Sequence, residues 1–161
     1  MEEGVILEYI LKAAEAAEID RISIYETGIP SAVLMEKAAM SVARHIQDIC
    51  STIYNNILPV NIKVLAICGM GNNGGDGIAC ARMLKEAGFN ASIFIAGDKD
   101  KATEETKRQI GIARNLDVPF ITKPEDNEYN IIIDALFGTG LSRDIGGIYT
   151  EWVDWINRQP S

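Results

Sequence analysis

The feature that most constrains this chain is the alternation, from about residue 62 onward, of short β-branched runs with stretches of helical spacing. Lys63-Val-Leu-Ala-Ile-Cys68, Ala91-Ser-Ile-Phe-Ile-Ala96 and Asn130-Ile-Ile-Ile-Asp134 read as strands, with a weaker one over Val118 to Ile121. Between and after them, Ile78 to Ala87 (closed by Gly88), Thr103 to Leu116 and Ile148 to Asn157 carry helical spacing. The strands are continuously apolar rather than alternating, so both faces of the sheet should be covered. This predicts a three-layer, doubly wound (Rossmann-like) α/β fold with a mostly parallel sheet and right-handed crossovers.

The first 57 residues have a different texture. Apolar positions at Ile6, Ile10, Ala13 and Ala17 predict one helix or two short ones between Val5 and Tyr25. A second helix should follow Pro30, with Ser31 as N-cap and a core stripe of Leu34, Ala38, Val42, Ile46, Ile49 and Ile53. That stripe is long enough to suggest a homodimer. No linker or repeat divides the chain, so the reading is one domain over 1–161, with a helical lead-in (1–57) and an α/β core (62–158).

Composition narrows the partners. Fifteen Lys and Arg stand against 23 Asp and Glu, a formal charge of −8, which is the wrong sign for enveloping nucleic acid. Cys50, Cys68 and Cys80 form no C-x-x-C pair, so neither a disulfide framework nor a zinc ribbon is indicated. The opening residues carry only the short apolar run VIL, too short for a signal core or membrane span. A reducing, cytoplasmic setting is expected, with no membrane association.

Two glycine-rich segments carry the chemistry. Cys68-Gly-Met-Gly-Asn-Asn-Gly-Gly-Asp-Gly77 leaves a buried strand and opens a helix, the position of a phosphate loop. Gly69, Gly71 and Gly74 also meet the G-x-G-x-x-G spacing, with Asp98 placed 24 residues beyond Gly74, where a dinucleotide fold holds a ribose acid. A plain tight turn with Asp76 as the helix cap is the alternative. The second segment, Ile133-Asp-Ala-Leu-Phe-Gly-Thr-Gly-Leu-Ser-Arg-Asp144, leaves a later strand on the same sheet edge, so the two converge if their strands are neighbours. Gly138, Thr139, Gly140, Ser142 and Arg143 offer donors for a phosphate or ribose, and an ordinary polar crossover loop is the alternative. Cys68 and the single histidine, His45, read as structural, and Trp152 and Trp155 as a face covering the sheet.

GMGNNGGDG followed by ALFGTGLSRD resembles the YjeF N-terminal domain family, the NAD(P)H-hydrate epimerases. GIPSAVLMEKAA and AAEAAEIDRISIYET resemble that family's helix-entry segment and first helix, so the likeness runs from about Ala13 to the end. The resemblance implies an isomerase that interconverts the R and S forms of hydrated NADH or NADPH, the S form then passing to a dehydratase, as a partner or a fused domain. It further implies that Asn72, Asn73, Gly74, Gly75 and Asp76, together with Gly138, Thr139, Gly140, Leu141, Ser142, Arg143 and Asp144, contact the substrate, and that Asn73 and Asp134 bind potassium. Asp134 capping its own loop is the alternative for that residue.

Epimerisation needs an acid and a base. Asp144, at the end of the second loop, is the expected acid/base; Asp76 competes for that role, although binding ribose or fixing its loop by hydrogen bonds is the expectation for it, and Lys101, in a stretch resembling the family's lysine segment, is a candidate helper whose alternative is an exposed lysine. Family domains continue into a strand bearing D-x-P-S-G, whose Asp touches substrate and whose Ser completes the potassium site. No such segment occurs before Ser161, so the chain looks cut short. The other readings are a noncatalytic binding or scaffold module of the same family, and a nicotinamide oxidoreductase using Gly69, Gly71 and Gly74. Intact Asn72 to Asp76 and Asp134 favour the epimerase.

Overall fold

The computed structural model describes residues 11–142 and 144–160. Four parallel strands, β1 (Lys63–Cys68), β2 (Asn90–Ile95), β3 (Phe120–Ile121) and β4 (Ile131–Ala135), form one sheet in the order β3-β2-β1-β4. Helix α3 (Asn72–Glu86) and α4 (Glu104–Asn115) cover one face, and α5 (Ile148–Arg158) covers the other. The fold is the expected three-layer parallel α/β domain. Sequence order spreads outward from β1 on one side, and β4 returns to its other side, so the switch point of the sheet lies between β1 and β4.

The core divides at the sheet. Ala66, Cys68 and Ile93 pack with Ile78, Ala81 and Ile110 beneath α3 and α4. Leu65, Ile67 and Phe94 meet Trp155 and Trp152 of α5 on the opposite face, where Phe94 lies 4.4 Å from the Trp152 ring. The two tryptophans thus cover the sheet, and the Trp155 indole donates to Asp126 at 2.6 Å.

The lead-in consists of α1 (Ala13–Tyr25) and α2 (Ser31–Ile53), and the part of the first predicted helix before residue 11 lies outside the described residues. The core-facing row of α2 differs from the expected stripe. It is Met35, Ala39, Ala43, Ile46 and Cys50, while Val42 (46% exposed), Ile49 (39%) and Ile53 (66%) face outward. The reason is steric, because small Ala39 and Ala43 let α2 approach α3 closely, whereas the larger row would hold it away. A polar link fixes the same contact: one guanidinium nitrogen of Arg82 of α3 donates to both carboxylate oxygens of Glu36 of α2 at 2.7 and 2.6 Å, and Gln109 of α4 donates to Glu36 at 2.8 Å.

Helix α3 begins six residues earlier than its apolar spacing predicts. Gly71 is the N-cap, and the whole Asn-Asn-Gly-Gly-Asp-Gly stretch forms its first turns. The glycines permit this by letting helix and strand ends touch through backbone. A Cβ on Gly74 would lie 1.9 Å from the Gly69 carbonyl oxygen, and one on Gly77 would lie 2.4 Å from the Ala135 side chain. Both contacts are below any real carbon separation.

These clashes give a paired expectation. Gly74→Ala should destabilise by about 3 kcal/mol or more, the upper end of overpacking costs, because the obstacle is backbone. Gly111→Ala, in mid-α4 with nothing within 4 Å of its Cβ position, should instead stabilise by roughly 0.5–1 kcal/mol. Urea unfolding of the two variants measures both.

Candidate active site

Two chain crossings at the carboxyl edge of the sheet create the site. The Gly69 amide bonds the Ala135 carbonyl at 2.9 Å, extending the β1–β4 ladder by one link. A Cβ on Gly69 would lie 2.1 Å from the Leu136 carbonyl oxygen, so the two loops pass at backbone contact. Beyond this crossing opens a cleft of about 930 Å3, its walls formed by 70–73 and Asp76 on one side and Leu136 to Ser142 on the other. Asp20 of α1, Thr103 at the head of α4 and Tyr149 of α5 complete the lining.

Hydrogen bonds hold the walls in place. The Asn73 side-chain amide donates to the Phe137 carbonyl at 2.8 Å, tying the first turn of α3 to the opposite loop. Thr103 donates to the Asn72 side-chain oxygen at 2.8 Å, and Thr106 donates to the Gly71 carbonyl at 2.8 Å, which moors α4 to the same turn. The positive end of α3 therefore opens on the cleft, with the amides of Asn72 and Asn73 ahead of the first intrahelical bonds. Phe137 and Tyr149 pack with ring centres 5.1 Å apart, and Gly97, at φ +116°, leaves room for the Tyr149 hydroxyl where a Cβ would sit 2.7 Å away.

The expected site residues separate into two groups. Asn72, Asn73, Asp76, Gly138, Thr139, Gly140, Leu141 and Ser142 meet around the one cleft. Gly74 and Gly75 are buried inside α3 and line nothing, since their lack of side chains serves helix packing, with Met35 and Thr106 against Gly75. Asp144 is exposed and outside the cleft wall, and Arg143 lies outside the described residues. Lys101 is 81% exposed in a short 3-10 turn and sits 3.9 Å from Asp98. Asp98 caps that turn by accepting the Asp100 amide, rather than facing the cleft. Cys68 is buried in the core, its thiol pushed up by burial, and His45 is exposed on α2.

Asp134, at the end of β4, accepts the Leu136 amide at 3.1 Å, so it does cap its own loop. Its other carboxylate oxygen and the Asn73 side-chain oxygen have no hydrogen-bond partner among the described residues. Oxygen donors of this kind suit a hard cation. Among the described residues, no group of three or more His, Cys, Asp or Glu side chains is gathered as for a metal.

The sequence reading did not single out Asp20, Thr103 or Tyr149 as cleft residues. None stands in a glycine motif: Asp20 and Thr103 come from elements remote in sequence from the two loops, and Tyr149 opens the helix that follows the second loop. The signal available was the N-cap pattern at Thr103, which accepts the Thr106 amide and places that hydroxyl at the head of α4.

Asp76 is the electrostatically unusual group of the cleft. Burial first, and the nearby Asp20 carboxylate second, push its pKa up to about 6.

A parallel sheet with a helix N-terminus and a glycine loop facing each other at its switch point places this cleft where open α/β domains bind their ligands. Comparison with known proteins specifies it further: the model for the YjeF-related protein N-terminus matches residues 31–161, and the chain belongs to that family. It is 40% identical over 152 residues to a protein of Oenococcus oeni named NAD(P)H-hydrate epimerase, covering 94% of this chain and 69% of that one. A protein of the same name from Lentilactobacillus buchneri is 38% identical over 144 residues, covering 89% and 64%. The crystal structure of yeast ynu0, YNL200c, superposes with a TM-score of 0.78 at 28% identity, covering 95% of this chain and 68% of that one. The chain thus spans about two-thirds of the length of these relatives. Among the described residues, no helix is long and apolar enough to cross a membrane.

The raised Asp76 pKa links to stability. A carboxyl whose folded pKa lies above its unfolded value contributes stability below about pH 4 that is lost as pH rises through about 6. Asp76→Asn should therefore melt at a higher temperature than the natural chain at pH 7.5, by the equivalent of roughly 1–2 kcal/mol after discounting for partial exposure. Near pH 4 the two should coincide. Thermal melts across this range measure the difference.

Proposed function

We propose that this protein is an epimerase that interconverts the R and S forms of hydrated NADH and NADPH, a step of nicotinamide nucleotide repair. The observation that carries the reading is the meeting of the Asn72–Asp76 turn and the Gly138–Ser142 loop across one cleft, in a chain 40% identical to a protein named NAD(P)H-hydrate epimerase.

The chemistry of the cleft supports it. The pyrophosphate of a dinucleotide is a compact anion that the first amides of α3 and the Gly138 to Ser142 segment can take without a cationic side chain. Thr139, Ser142, Asn72 and Thr103 add neutral groups for ribose hydroxyls. Phe137 and Tyr149, their rings tilted 56° to one another, provide aromatic surface for a ring.

Potassium is part of the proposal, held by the Asn73 and Asp134 oxygens. When bound, it would supply positive charge between the two loops, screening Asp134 from an anionic substrate. In this reading the S hydrate passes to a dehydratase, a partner or a fused domain. The homodimer would cover the outward apolar row of Val42, Ile49 and Ile53.

The test presents the purified R hydrate to the protein, with and without potassium, and follows both epimers by chromatography. Acceleration above the spontaneous rate is expected, greater with potassium, and Asp134→Ala should abolish the potassium dependence. A hydrate that binds but equilibrates at its spontaneous rate would assign the chain to the noncatalytic module.

A further inference from the structure

We propose that Asp76 of α3 and Asp20 of α1 form a carboxyl–carboxylate pair that carries the proton of the epimerisation and faces the cation it generates. This rests on the epimerase reading and assigns the proton step to residues inside the cleft.

Among the described residues, the cleft lining contains two carboxylates and no Lys, Arg or His. A dinucleotide hydrate brings two or more negative charges of its own, so its phosphates must sit against the neutral donors of Gly138 to Ser142 and the α3 amides. Two carboxylates on one wall raise the energy of an anionic ligand beside them, unless one is protonated or positive charge is bound or develops there. Asp76 lies only five residues into α3, where the helix dipole favours its ionised form. Burial and Asp20 outweigh that effect, and the group titrates at about 6. A bound anion moves it further in the same direction.

Other charged groups on the elements packed against α3 are turned to different tasks. Glu36 of α2 holds Arg82 and Gln109, Glu105 of α4 holds Ser31 and Arg108, and Asp134 of β4 holds the Leu136 amide. Lys37 and Arg44 of α2, Glu104 and Lys107 of α4, and Lys63 of β1 do not line the cleft. Tyr149 of α5 is the remaining ionisable group on the wall.

The step balances with no further reagent. Protonated Asp76 gives its proton to the hydroxyl of the hydrated carbon, and the C–O bond breaks with its electron pair leaving on water. The ring-nitrogen lone pair forms the C=N bond of an iminium, whose positive charge faces the two carboxylates. Water then adds from the opposite face, the C=N pair returns to nitrogen, and the surplus proton of the new hydroxyl passes to solvent water, from which Asp76 is reprotonated. Asp20 stays ionised throughout and acts through Asp76 as a positioning residue, holding it ready to give a proton near neutral pH.

The test measures turnover of the R hydrate against pH, with a separate titration of the Asp76 carboxyl by infrared or carbon NMR in the free protein. Asp76→Asn should lower kcat by about 10²–10⁴-fold with KM nearly unchanged. Asp20→Asn should move the alkaline limb of the kcat profile and the Asp76 titration to lower pH together, and Asp20→Glu should restore both. Asp20 is exposed on its helix, and circular dichroism of its variants checks that they fold. An Asp20→Asn profile superimposable on the natural one, or full kcat in Asp76→Asn, overturns the pair while leaving the epimerase reading intact. A natural-protein Asp76 that titrates as an ordinary carboxylate, unmoved by Asp20→Asn, overturns the pair whether or not the hydrate turns over. No acceleration by the natural chain, with the coupled titration present, removes the epimerase reading and the catalytic role of the pair.

Discussion

Everything at the functional edge depends on how closely α3 sits against the ends of β1 and β4. Three glycines make that approach possible: Gly69 against the Leu136 carbonyl, Gly74 against the Gly69 carbonyl, and Gly77 against Ala135. A single methyl at any of them would drive helix and strands apart. Because they touch, the first turn of α3 projects into the switch point and the loop after β4 folds back over it, which is why Asn73 can reach Phe137.

The same proximity sets the electrostatics. A chain of net charge −8 holds its proposed anionic ligand with backbone amides, hydroxyls and amide side chains, because the described cleft wall carries no cation. Neutral donors are directional and already aimed, so they bind anions without making the surroundings attractive to anions in general. The carboxylates are contributed separately, by α1 and α3. The Arg82–Glu36–Gln109 link binds α2, α3 and α4 into one unit beneath that arrangement. The Arg82 side of this pair is buried and the Glu36 side is half-exposed, so the link serves to fix the helix geometry.

Much of the architecture was legible in the residues. The three strong strands appear within one residue of their expected ends, and the continuous apolar runs correctly implied a sheet covered on both faces. Two misplacements are informative. The start of α3 was hidden because the glycines that break helical propensity are those that let the helix pack. The α2 stripe was read one position off, since hydrophobicity alone favours Val42 and Ile49 over Ala39 and Ala43, and burial there was decided by the distance to α3.

The sequence by itself determined the layer order and the family, because period and glycine placement are local properties written along the chain. It also marked both loops as chemically unusual. Only the tertiary structure decided which of those residues face the cleft. It buried Gly74 and Gly75, left Lys101 and Asp144 outside the wall, brought in Asp20 and Thr103 from distant segments, and turned Tyr149 of the following helix onto the wall. The physical reason is that a side chain's protonation and reach depend on neighbours tens of residues away: Asp20 raises the Asp76 pKa only because α1 brings it to the same cleft.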